Sequence, residues 1–92
     1  MENTRYLKIG QVVRSKNGRD AGDVFIVVNI IDDDYVHIVD GRRRTLAKPK
    51  LKKIKHLDVY NKVFNEIESK QFGKYQFNDA YVKRILMPYS KN

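Results

Sequence analysis

Arg42-Arg43-Arg44, Lys48, Lys50, Lys52, Lys53 and Lys55 place eight cations and no acid in residues 42–56. The chemistry such a run does well is phosphate neutralisation with release of condensed counterions. Arginine forks add bidentate contacts to phosphate or base edges. A generic soluble surface interleaves the two signs. Crowding like charges has a repulsive cost, which an anionic ligand removes. Within the run itself no acid can neutralise the excess. Lys16 and Arg19 add two cations at the tip of the stretch Lys16-Asn17-Gly18-Arg19-Asp20-Ala21-Gly22-Asp23. On a strand Arg42 and Arg44 would share one face and Arg43 the other. Either that strand is distorted, or the chain stays outside a barrel until Thr45 or Leu46.

Other residue types suggest less. Asp32-Asp33-Asp34 invites a metal reading, but neighbouring carboxylates diverge and no further ligand follows at useful spacing. Their side chains bond turn amides well, so a turn is expected. With no cysteine and only two histidines, His37 and His56, no transition-metal site is expected. Ser15, His37 and Asp40 exist as types, but no nucleophile-elbow sequence surrounds the serine. There is no Walker-type phosphate loop and no dinucleotide glycine pattern. A barrel this small offers little concave volume for a substrate. The reading is therefore not an enzyme, with no cofactor, no metal and no small-molecule substrate. Tyr60 and Tyr81 fall on apolar stripes and read as core, so base stacking is a weak signal beside recognition by cations.

The elements that position these groups follow from pattern. The chain has 92 residues and a net charge of +8, which suits one domain. Ile9–Ser15 and Val24–Ile31 read as strands, the second apolar on both faces and so central. Phe25 and Val27 are candidate core residues. Tyr35–Asp40 follows the acidic turn as a third strand. Asp40-Gly41 is a tight-hairpin dipeptide, Arg42–Ala47 returns as a fourth strand, and Pro49 ends it. Leu51, Ile54 and Leu57 suggest a short 3₁₀ turn into a fifth short strand. Five short strands imply a small, strongly bent barrel, a mainly β fold over residues 1–57. Gly18, Gly22 and Gly41 read as structural turn residues. After Leu57 the period changes. Val59, Tyr60, Val63, Phe64 and Ile67 share one helical face, with Asp58 as N-cap and Gly73 beyond the end. A second helix starts at Asn78 as N-cap, with Phe77 and Val82 as a hydrophobic staple, and stops at Pro88. Residues 58–92 are thus expected to be a helical extension packed on the barrel in a single compact unit. No apolar run approaches the roughly 20 residues of a membrane helix, and the N-terminus shows no signal peptide. A cytoplasmic protein is expected.

The stretch Gly10-Gln11-Val12-Val13-Arg14-Ser15 through Gly22-Asp23-Val24-Phe25-Ile26-Val27-Val28 resembles a KOW motif, a strand, a basic glycine-containing loop and a second strand. With Asp40-Gly41-Arg42-Arg43-Arg44, Lys48-Pro49-Lys50 and Lys55-His56-Leu57, the chain resembles bacterial KOW-domain RNA-binding proteins and is similar to the "fourteen-e" family of large-subunit ribosomal proteins. The resemblance covers residues 6–57, and the tail only through Asn78-Asp79. It implies an SH3-like barrel that binds RNA, usually ribosomal RNA, with ribosomal proteins as further partners and no membrane. Two functions follow. One is RNA binding through Lys16, Arg19, Arg42, Arg43, Arg44, Lys48, Lys50, Lys52, Lys53 and Lys55. The other is a protein-interaction barrel like the KOW modules of NusG-type elongation factors, using the aromatic tail over residues 60–77.

Overall fold

The computed structural model describes residues 6–67 and 78–90. Among these residues five strands, β1 (Gln11–Ser15), β2 (Val24–Ile30), β3 (Tyr35–Val39), β4 (Lys50–Lys53) and β5 (Leu57–Val63), precede one α-helix, α1 (Asp79–Leu86). They form one antiparallel sheet in the order β4-β3-β2-β1-β5. A 3₁₀ turn over Ile54–His56 carries the chain from one edge strand to the other. The fold is mainly β, a small SH3-like arrangement with a short C-terminal helix.

Alternation along β2 sends Phe25 and Val27 to one face and Val24 and Ile26 to the other. The first pair joins Val13, Val36, Ile38, Ile54 and Leu57 inside the curl of the sheet. The second pair packs with Val12, Val39, Ile67, Val82 and Leu86 under α1. Phe25 and Val27 are 1% and 0% exposed, as expected of a strand buried on both sides.

Two expected elements are corrected. Residues 42–47 do not form a strand, and Asp40-Gly41 does not make a tight hairpin. Asp40 Oδ1 accepts the N–H groups of Arg42 (2.8 Å) and Arg44 (3.0 Å). The Arg44 carbonyl accepts those of Asp40 (2.9 Å) and Gly41 (3.1 Å). These local bonds occupy the donors that a ladder would need. The fourth strand starts only after Pro49. The second correction is β5, which replaces a helix expected from Asp58. Val59 packs into the barrel while Tyr60 packs on the opposite face, which is a period of two. The free edge of β1 pairs with this segment, with Val13 opposite Val59 and Arg14 opposite Asp58. Edge pairing and β-branched, aromatic residues here prevail over the helical spacing. A single 3₁₀ turn, Asn65–Ile67, follows. Gly73 and the Phe77 half of the staple lie outside the described residues. α1 begins as expected, with the Asn78 side chain accepting the Tyr81 N–H at 2.9 Å.

Candidate nucleic-acid interface

The three arginines project from a loop tied at both ends. At its start, the Asp40 carboxylate closes the turn described above. Further on, Asp79 Oδ1 of α1 accepts the Leu46 N–H at 2.8 Å. Gly41 lies so close to the helix that a Cβ there would collide with the Asp79 carbonyl and come within 2.9 Å of the Lys83 nitrogen. Its φ of 80° also belongs to the left-handed region. Arg42, Arg43 and Arg44 are all exposed. No salt bridge among the described residues engages them. Lys48, exposed, sits in the next turn, its N–H donating to the Thr45 carbonyl at 3.0 Å.

The lysines of β4 behave differently. Lys50 lies opposite Ile38 and Lys52 opposite Val36, and directly opposed residues share a face. Both therefore start on the barrel side, while Leu51 points outward at 55% exposure. Their ammonium groups converge on Asp20 from the first loop. Lys50 Nζ is 3.2 Å from Oδ2 and Lys52 Nζ 3.1 Å from Oδ1. Lys52, 7% exposed, also donates to the Asn17 carbonyl at 3.2 Å. Ser15 Oγ donates to Asp20 Oδ1 at 2.7 Å. Burial works against the Asp20 carboxylate, but the bonds from Ser15, Lys52 and Lys50 outweigh it and hold its pKa at about 2. The excess charge of residues 42–56 thus does find an acid, from far upstream. Lys52 is a structural cation.

The remaining expected residues divide in two. Arg19, exposed, lines a hollow of about 230 Å³ with Arg43, Arg44 and Lys50. The first loop and the arginine loop are therefore neighbours. Gly22, with φ of 92°, lets that loop turn, and a Cβ there would meet nothing within 4 Å. Gly18 lies beside the Asp20 and Lys52 side chains. Lys16 is exposed beside the 3₁₀ turn, its N–H bonded to the His56 carbonyl at 2.8 Å. Lys53 and Lys55 flank the acidic turn. Lys53 Nζ sits 5.8 Å from the Tyr35 ring centroid, and the Ile54 N–H between them donates to the Asp34 carbonyl at 2.8 Å.

One cation that sequence reading leaves in the helical extension, outside the basic face, joins it. Lys83 of α1 lines, with Arg42 and Arg43, a cleft of about 720 Å³. That open cleft offers more concave space than the sequence led one to expect of so small a barrel. The signal in the sequence was Asp79-Ala80-Tyr81-Val82-Lys83, which places Lys83 one turn past Asp79. Only the docking of Gly41 reveals that this face meets the arginines.

Asp32 Oδ1 accepts the Asp34 and Tyr35 N–H groups at 2.8 and 2.9 Å, so this carboxylate serves the turn. The described aromatics of the tail are used internally. Tyr60, Phe64, Tyr81 and Tyr89 pack on the α1-side core, and Tyr60 meets Tyr89 edge-on at 5.9 Å. Tyr81 donates to Glu66 at 2.6 Å, a bond that lowers the Glu66 pKa and raises that of the phenol. No helix among the described residues is long and apolar enough to cross a membrane.

No protein-family model matches the chain. Among curated proteins, the chain is 36% identical over 56 residues to a protein named large ribosomal subunit protein eL14 from Desulfurococcus amylolyticus, covering 61% of this chain and 58% of that one. It is 30% identical over 59 residues to the protein of the same name from Staphylothermus marinus, covering 64% and 62%. The match spans less than two thirds of either relative's length.

Proposed function

We propose that this chain is an RNA-binding KOW module that works on the large ribosomal subunit, contacting structured ribosomal RNA by phosphate neutralisation. The contact face comprises Arg42, Arg43, Arg44 and Lys48 with Arg19 and Lys83, and Lys16 at its margin. Lys53 and Lys55 are peripheral to it, and Lys50 and Lys52 support it from behind through Asp20. The observation that carries this reading is the arginine loop. The loop backbone is fixed by Asp40 and by α1, its three arginines are exposed, and among the described residues no acid pairs with them. A loop ordered before binding loses less entropy on binding. The similarity to two ribosomal proteins supports the same partner class and a cytoplasmic, ribosome-bound setting, with ribosomal proteins as neighbours. Of the aromatics on which the protein-docking alternative rests, Tyr60 and Phe64 are engaged within the fold, and Phe72, Tyr75 and Phe77 lie outside the described residues. The test is a titration of structured RNA at several salt concentrations. Five or so phosphate contacts should weaken binding on the order of a hundredfold between about 50 and 200 mM salt. Binding that ignores salt would overturn the proposal.

A further inference from the structure

The cleft of about 720 Å³ beside the arginine loop has walls of two kinds. One is mainly cationic, from Arg42, Arg43 and Lys83, with the Asp40 carboxylate among them accepting the Arg42 and Arg44 N–H groups. The other is apolar, and its most accessible part is Met87, 63% exposed, at the end of α1. Gly22 in the same lining contributes no side chain, and the space where its Cβ would stand is open. Asp23 adds an exposed carboxylate to the lining. No side-chain bond or ion pair engages it among the described residues.

A surface that only follows a phosphate backbone needs neither an apolar wall nor a carboxylate, and a carboxylate repels phosphate. The combination suits a ligand that is anionic at one end and flat and amine-bearing at the other. The volume falls in the range of small-ligand clefts, about 300–1,000 Å³. Resting on the RNA-binding reading above, we infer that the cleft receives one unpaired nucleotide protruding from folded RNA. Arg42, Arg43 and Lys83 hold its phosphate. Its base lies against Met87, and an exocyclic amino group of the base donates to Asp23. A paired base cannot reach such a site, whereas bulged and looped bases can be splayed out and read on their edges. Adenine, guanine and cytosine carry the amino donor, and uracil does not.

The experiment titrates the full chain, at one fixed salt concentration, with hairpin RNAs that differ only in a single bulged nucleotide or its absence. A bulged adenosine, guanosine or cytidine should improve affinity roughly tenfold over the fully paired hairpin, as burial of apolar surface against one side chain can supply, and uridine by less. Met87→Ala should abolish the advantage while leaving the fully paired hairpin bound as before. Melting curves check that the variant folds. Asp23→Ala should level the amino-bearing bases with uridine. Equal binding of bulged and paired hairpins by the unmodified protein would overturn the nucleotide site and leave the basic-face reading standing. Failure to bind either RNA would overturn both. Adenosine monophosphate binding as tightly as the bulged hairpin would overturn the RNA-borne occupant in favour of a free nucleotide.

Discussion

Arg42-Arg43-Arg44 and Lys50-Leu51-Lys52-Lys53 look alike on paper, both dense in cations and both free of acid. In the fold they have opposite uses. The arginines sit on a loop whose backbone is satisfied by Asp40 and Asp79, so their side chains are left to the solvent. The lysines sit on an edge strand whose pleat turns alternate residues inward, and Lys50 and Lys52 spend their charge on Asp20. Charge density along a chain therefore does not measure the charge that a ligand meets. The backbone beneath each cation and the nearest buried acid decide it.

The sharpest way to break this contrast is to remove the shared acid. Asp20→Ala strands two ammonium groups, one of them buried, and should cost about 2–4 kcal/mol. For a domain of this size that lowers the melting temperature by roughly 10–25 °C. RNA affinity per folded molecule should change little, and a near-native melting temperature would refute the structural role of the lysines. Next in size, Arg42, Arg43 and Arg44 changed together to Gln should lower RNA affinity by about tenfold or more at moderate salt and flatten the salt slope by about 0.7–0.9 per lost contact. The melting temperature should barely move. If it fell as far as in Asp20→Ala, the loop would be structural too and the contrast would vanish.

Acid sharpens the same comparison. The folded-state pKa of Asp20, about 2, lies below its ordinary value of 3.8. Its contribution is therefore fully present above about 3.8 and is lost as the pH falls through 3.8 towards 2. We expect about 1–2 kcal/mol from this group, allowing for partial solvent screening. The stability gap between the unmodified protein and Asp20→Asn, measured by denaturant titration, should narrow between pH 5 and pH 2, and a constant gap would contradict the assignment. The smallest effect concerns cations outside the face. Lys62→Gln with Arg84→Gln should change RNA affinity less than about threefold. Lys83→Gln alone should change it more, by about one phosphate contact. Equal losses would mean that the face extends around α1.

Much of this was legible in advance. The continuous apolar run of β2 announces burial on both faces, and Asn78 followed by Asp79 announces the start of α1. Other parts were not. Val59, Tyr60, Val63, Phe64 and Ile67 satisfy a helical stripe, but Val59 and Tyr60 of β5 put one face on each core, as a strand does. The free edge of β1, which no local window contains, selects the strand. β4 inverts the usual polarity by sending lysines in and Leu51 out, because Asp20 waits at the mouth of the barrel. Of the candidate site, the arginines and Arg19 were readable from charge. Lys83 was not, since its membership depends on the approach of Gly41 to α1.

That approach has a thermodynamic consequence. Asp79 belongs at once to the first turn of α1 and to the anchor of the arginine loop. Whatever binds the loop in its anchored form stabilises the docked helix by linkage, and loosening the helix weakens the binding by the same factor. Amide exchange carries the signature. The Val82 N–H, bonded to the Asn78 carbonyl at 3.0 Å, should exchange more slowly when RNA occupies the loop, although neither residue is among those expected to touch it.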